Sequence, residues 1–287
     1  WAAIDLLLFS EGRDGVVIGK HAWLFSDEEI DLSKNANENY KRNLAAIIAS
    51  KELLSKNNIT LVIAIIPAKS RIYSSYLQDT PPSDLHKQLY ALIHKDLAES
   101  NILAPDLLNP LLKHSKSNFL KTDTHWTPDG AEITAKNIAE FINKRKLLDI
   151  STKEFVTQAT GKLVHRGDLL NYLPLQPWFN FLYPYTDSVE VRKTTLLQTS
   201  DNVADMLFSA NDIAVDLVGT SYSANSLWNF NGALQQALGT DVLNMAKEGQ
   251  GPIKPMQTYL NERLNKPNLP KLVIWEIPER YLLMDNG

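Results

Sequence analysis

Four apolar runs, each too short to be a helix, constrain the fold most: Leu61-Val-Ile-Ala-Ile-Ile-Pro67, Ile102-Leu-Ala-Pro-Asp106, Ile213-Ala-Val-Asp-Leu-Val-Gly219 and Leu272-Val-Ile-Trp-Glu-Ile277. A fifth, weaker run is Val242-Leu-Asn-Met245. They are largely β-branched, nearly free of charge and lack polar alternation. That is how strands covered on both faces of a parallel sheet read. Parallel neighbours need long crossovers, and residues 37–56, 84–99, 127–148, 223–238 and 255–264 supply them. The second of these carries Leu85, Leu89, Leu92, Ile93 and Leu97 near helical spacing. Strands alternating with helices predict an α/β fold with a mostly parallel sheet.

Between about residues 151 and 208 the rhythm breaks. Runs such as Trp178-Phe-Asn-Phe-Leu-Tyr183 and Ser188-Val-Glu-Val-Arg-Lys-Thr-Thr195 predict a β-rich insertion within one catalytic domain spanning 1–287. The opening run, Trp1 to Phe9, is interrupted by Asp5 and is too short to span a bilayer.

Composition narrows the chemistry. The absence of cysteine removes thiol nucleophiles, disulfides and Cys-ligated metals together. A net charge of −4 carries no basic footprint for nucleic acid. No zinc-helix motif, phosphate loop or dinucleotide fingerprint is present, so neither a metal nor a cofactor is expected.

Two segments carry residues suited to acyl transfer. In Thr122-Asp-Thr-His-Trp-Thr-Pro128, Thr127 and Pro128 mark a helix start. Asp123 and His125 therefore lie on the preceding loop, two apart and on one side if the loop is extended. A carboxylate so placed can orient an imidazole as a base; an ordinary capping loop is the alternative. The second segment, Gly219-Thr-Ser-Tyr-Ser223, follows a strand and precedes a helix. A serine at such a turn has an exposed hydroxyl beside backbone N–H donors, or it merely caps the helix. His165 is the rival to His125, whereas His86 and His94 read as solvated helix residues. Gly249 and Gly251 are candidates for an oxyanion donor or close ligand approach. Arg280 and Tyr281, with Glu276, are candidates for substrate contacts or for a structural salt bridge and packed aromatic.

Asp123-x-His125, Gly219-Thr-Ser221-Tyr-Ser, Gly19-x-x-x-Trp23-Leu-Phe, Gly249-x-Gly251-Pro252 and Trp275-Glu-x-Pro-Glu-Arg280-Tyr281 together resemble the alginate O-acetyltransferase family (AlgJ/AlgX-like). The resemblance runs from about Asp5 to Tyr281. It implies an SGNH-hydrolase-like three-layer sandwich, circularly permuted, with Ser221 as nucleophile, His125 as base and Asp123 as orienter. It also implies a periplasmic O-acetyltransferase, attached to the inner membrane by a segment upstream of residue 1. Such an enzyme takes acetyl groups from a membrane-bound acyltransferase onto its serine. It passes them to an exported polysaccharide, alginate foremost, or to another periplasmic transferase, with acetylesterase activity in vitro. The AlgX branch carries an extra C-terminal carbohydrate-binding domain. This chain stops six residues after Tyr281, so the AlgJ branch is expected. A deacetylase on the same triad and a non-catalytic export scaffold stand as alternatives.

Overall fold

A computed structural model describes residues 13–77, 80–173, 186–197 and 213–287. The opening run Trp1–Phe9 and the run Trp178–Tyr183 lie outside the described residues.

The apolar runs form a four-stranded parallel sheet. Its strands are β3 (Thr60–Ile66), β6 (Val215–Val218), β7 (Val242–Asn244) and β8 (Leu272–Pro278), in the order β3-β8-β6-β7. Both faces are covered, which is why the strands lack polar alternation. Val62, Ala64, Leu217 and Ile274 pack in one hydrophobic cluster with Ile138 and Leu234; Ile63, Ile65, Val273 and Trp275 pack in another with Ile47, Leu89 and Met256. Helices α5 (Pro128–Lys144) and α7 (Phe230–Leu238) cover the first face. Helices α1 (Ala36–Lys56), α3 (Asp84–Glu99) and α8 (Ile253–Arg263) cover the second. The result is the expected three-layer α/β sandwich.

The remaining helices are short: α2 (Lys69–Ile72), α4 (Leu108–Lys113) and α6 (Ser221–Ala224). A small antiparallel pair, β1 (Val17–Ile18) and β2 (Leu24–Phe25), lies near the start. A long antiparallel hairpin joins β4 (Phe155–His165) to β5 (Asp187–Leu196). Arg192 fastens this hairpin to α5 through Asp129 and Glu132, both at 2.8 Å.

Three expectations need correction. Ile102–Asp106 makes one parallel bridge, Val62↔Leu103, and no strand, because Pro105 has no N–H and restricts Ala104. The helix expected over 223–238 is broken: a 3-10 turn at Ser226–Trp228 is followed by Asn229 in the left-handed region, φ 52°. His86 is buried rather than solvated; its ring meets the Ser83 hydroxyl at 2.9 Å and the Glu28 carbonyl at 3.0 Å.

Candidate active site

All four parallel strands end at the same edge of the sheet, where open α/β folds bind ligands. The segment after β3 carries Lys69, that after β6 Ser221, that after β7 Gly249 and that after β8 Arg280. Ser221 opens α6, and Thr220 is its N-cap, accepting from the Tyr222 amide. The turn rests on Glu276. This fully buried carboxylate accepts from the Thr220 amide at 2.8 Å and from the hydroxyls of Thr220 and Ser223 at 3.0 Å. Burial pushes the Glu276 carboxyl up to about 6 although these donors oppose it. Gly219 is required here, because a Cβ would stand 2.5 Å from the Glu276 Oε2.

His125 enters from the loop before α5, whose start is set by the Thr127 cap and Pro128. Its Nε2 lies 2.7 Å from the Ser221 hydroxyl, and its Nδ1 lies 2.6 Å from Asp123 Oδ1. The Trp228 ring stacks on the imidazole at 5.2 Å, with Tyr222 at 4.8 Å. Asp123 is 2% exposed, so its carboxylate must be satisfied inside the protein. Oδ1 accepts from the His125 amide as well as from its ring; Oδ2 accepts from His165 Nε2 at 2.7 Å and from the Asp168 amide at 3.0 Å. Burial opposes ionisation, but the bonds from His125 and His165 win and hold the Asp123 carboxyl well below the usual range. The same contact raises His165 above the ordinary imidazole value.

The Asp123 loop is clamped from several sides. At the start of β5, opposite His165, Asp187 accepts from the amides of Lys121 and Thr122 and from the Thr122 hydroxyl. Asp168 accepts from the Thr124 amide and hydroxyl. Lys69, 1% exposed, donates to the carbonyls of Leu24 at 2.6 Å, Lys121 at 3.0 Å and Asp123 at 2.9 Å. Burial pushes its ammonium down to about 8. Gly167 packs so closely that a Cβ would stand 1.9 Å from the Thr122 carbonyl oxygen.

The other candidate residues are placed as follows. Arg280 is 5% exposed; its Nη1 donates to the Tyr222 hydroxyl at 3.0 Å, and that hydroxyl donates to the Thr124 carbonyl. Its Nε stands 3.1 Å from Glu28 Oε2 without hydrogen-bond geometry. Arg280 thus braces the turn that carries Ser221 against the loop that carries His125. Tyr281 lies beneath the Arg280 guanidinium, 4.9 Å from centroid to Cζ. Gly249 and Gly251 both adopt left-handed φ, at 68° and 62°. Gly251 lies beside Asn286, and Gly249 faces open space.

Asp123, His125 and Asp168 hold a potential metal-ligand atom each within 4.8 Å of one another. Those atoms are already engaged: His125 Nδ1 with Asp123, and both Asp168 oxygens with Thr124. The donor set therefore suits proton handling better than cation binding.

Lys69, Asp168, Asp187 and Tyr222 escaped the sequence reasoning. For Lys69 the available signal was its position directly after a buried strand, in Pro67-Ala-Lys-Ser70.

A serine–imidazole–carboxylate line at the carboxyl edge of a parallel sheet in a three-layer sandwich is an arrangement shared by serine hydrolases and acyltransferases of α/β fold. The chain belongs to the family described as SGNH hydrolase-like domain, acetyltransferase AlgX, whose model matches residues 16–279. It is 46% identical over 288 residues to the probable alginate O-acetylase AlgJ of Pseudomonas putida, covering 100% of this chain and 75% of that protein. The alginate biosynthesis protein AlgX of Pseudomonas putida is more distant, at 30% over 276 residues, covering 91% of this chain and 55% of that protein. The solved O-acetyltransferase domain of Pseudomonas putida AlgJ superposes with a TM-score of 0.87 at 42% identity, covering 96% of this chain and 94% of that one. The expected affinity to the AlgJ branch holds.

Proposed function

We propose that this chain is an O-acetyltransferase of alginate biosynthesis that works through an acetyl-Ser221 intermediate. The observation that carries the proposal is the continuous line Ser221–His125–Asp123, at 2.7 and 2.6 Å, in a chain similar to proteins named alginate O-acetylase.

In the first half-reaction the Ser221 oxygen attacks the acetyl carbonyl of a donor ester while His125 Nε2 takes the hydroxyl proton. Asp123 holds the ring with Nδ1–H inward and balances the imidazolium as it forms. The Ser221 amide is the first of its helical turn, so it has no helical partner and can donate to the developing oxyanion. The donor's alcohol leaves with the proton from His125. In the second half-reaction a sugar hydroxyl gives its proton to His125 and attacks the acetyl-serine; Ser221 recovers its proton as it leaves. Water in place of the sugar gives acetylesterase activity.

The whole chain acts as one catalytic domain, with the β4–β5 hairpin inserted into it. The site of action is the periplasm, with a membrane-bound acyltransferase as the acetyl source and the polymer or a second transferase as acceptor. No helix among the described residues is long and apolar enough to cross a membrane.

The test is mass spectrometry of the intact protein after exposure to an activated acetyl ester. An acetyl group on Ser221, absent in Ser221→Ala and in His125→Ala, is the expected result. Hydrolysis of the ester by Ser221→Ala at the wild-type rate would overturn the assignment.

A further inference from the structure

We propose that His165 is a positioning residue for acetyl transfer: it shares the Asp123 carboxylate with His125 and thereby sets how firmly His125 holds a proton. The proposal rests on the acetyltransferase reading above and deepens it by naming what tunes the base.

Two imidazoles meet on one buried carboxylate. His125 Nδ1 stands 2.6 Å from Oδ1, and His165 Nε2 stands 2.7 Å from Oδ2. An ionised carboxylate only accepts, so each ring must present an N–H to it. That fixes both tautomers. His125 carries its proton on Nδ1 and leaves Nε2 to accept from Ser221. His165 carries its proton on Nε2, and its Nδ1 meets no hydrogen-bond partner among the described residues. The His165 side chain is 21% exposed, so a second proton can reach Nδ1 without breaking the bond to Asp123. Trp228 holds both rings in place: it stacks on His125 at 5.2 Å and stands at 86° to His165, 5.6 Å away.

Docking of the hairpin does not depend on this imidazole. Asp187 and Asp168 already bind the amides and hydroxyls of the loop before α5, Gly167 packs on the Thr122 carbonyl, and Arg192 reaches α5. What His165 adds is control of charge. A buried carboxylate with one imidazole partner places its whole charge behind that ring and favours the imidazolium. His125 would then stay protonated where it has to accept a proton from Ser221 and later from the acceptor hydroxyl. A second donor on Oδ2 draws part of that charge away. A lysine or arginine there would do so permanently. An imidazole donates while neutral and adds a positive charge only with its second proton. The bond to Asp123 raises His165 above the ordinary imidazole value, with burial opposing it.

Other charged groups surround the two rings. Asp168 lies 3.8 Å from His125 Nδ1, and Asp187 stands opposite His165 across the hairpin. Arg166, next along the chain, donates to Asn171; buried Lys69 donates to the Asp123 carbonyl; Glu276 lies beneath the serine turn. Substitution at His165 removes none of them, so their contribution is common to the proteins compared.

The test compares wild type with His165→Leu and His165→Gln. The glutamine keeps an N–H within reach of Oδ2 but cannot become a cation; the leucine keeps neither. Two readouts are taken over roughly pH 5 to 8: the rate of Ser221 acetylation by an activated acetyl ester, and the titration of the His125 ring by NMR. Expected is an acid-side midpoint raised by about one pH unit in His165→Leu, a tenfold change in the proton equilibrium, with His165→Gln between it and wild type. Because the rings share a carboxylate, each midpoint belongs to the set, and the difference between proteins carries the result. Thermal melts check that each variant is folded. If His165→Leu does not fold, His165→Gln against wild type decides. A lower plateau rate with the midpoint unmoved, to within about 0.3 unit, would leave His165 as a clamp and overturn the proposal, as would a midpoint shifted downwards. The NMR titration does not require transfer. Absence of acetyl-Ser221 in wild type defeats the transferase reading, whereas an unmoved His125 titration defeats this one.

Discussion

Asp123→Asn tests the proposed chemistry at its most constrained atom pair. Four donors converge on this carboxylate: the His125 ring and amide on Oδ1, and the His165 ring and Asp168 amide on Oδ2. An asparagine offers one acceptor oxygen and one NH₂. If the oxygen faces His125, the NH₂ faces His165, which can adapt by changing tautomer, and the Asp168 amide, which cannot. If the NH₂ faces His125, it opposes that residue's amide and forces the ring to carry its proton on Nε2, where it can no longer accept from Ser221. In both arrangements the negative charge that balances the imidazolium is gone. The same replacement in the serine-protease triad lowers kcat by about 10⁴, or roughly 5 kcal/mol at 1.36 kcal/mol per decade. We therefore expect Ser221 acetylation to slow by about 10³–10⁴, read by rapid-quench mass spectrometry. The stranded amide should cost about 1–3 kcal/mol of stability, read by urea unfolding. The pH dependence has a definite sign. The folded carboxyl titrates below its unfolded value, so its stabilisation is complete above about pH 4 and is lost as pH falls towards the folded value. Asp123→Asn should lack that acid-side loss. Acetylation within tenfold of wild type would refute the orienting role.

Other outcomes follow from the parts that hold the site. Glu276, raised to about 6, stabilises the fold below about pH 4.5 and loses about 2 kcal/mol of that as pH rises through 6. Melting curves of Glu276→Gln should therefore gain on wild type between pH 4.5 and 7.5, and parallel curves would count against the assignment. Lys69→Met strands the carbonyls of Leu24, Lys121 and Asp123; a loss of about 3 kcal/mol or more is expected in urea unfolding, and a loss below about 1 kcal/mol would show that water replaces the ammonium. Gly167→Ala drives a methyl into the Thr122 carbonyl and should cost about 1–3 kcal/mol together with a clear drop in Ser221 acetylation; full acetylation at unchanged stability would contradict the clamp.

The parallel sheet and the Asp123–His125–Ser221 set were legible because each rests on local pattern. Strands covered on both faces are uninterrupted apolar runs, and a Thr-Pro helix start fixes where the preceding loop must lie. Glu276 was visible as a carboxylate inside an apolar strand, although its role beneath Thr220 and Ser223 was not. The second half of the Asp123 shell was hidden because it depends on docking. His165 and Asp168 reach Asp123 from 42 and 45 residues away, by way of a hairpin whose position no periodicity encodes. Lys69 was hidden by its type, since lysine reads as surface unless its carbonyl partners are known. The break before α7 depends on a single left-handed asparagine, which helical spacing passes over.

The strand order β3-β8-β6-β7 has a consequence for biogenesis. β8 occupies the middle of the sheet yet comes from residues 272–278, after every other described strand has been made. Until it emerges, β3 has no partner on that side and β6 pairs with β7 alone, so the two halves of the sheet cannot meet during synthesis. The Glu276 that supports Ser221 arrives on the same strand. A nascent chain of this topology keeps its sheet open until residues 272–278 have been made, which postpones assembly of the serine turn to the same point.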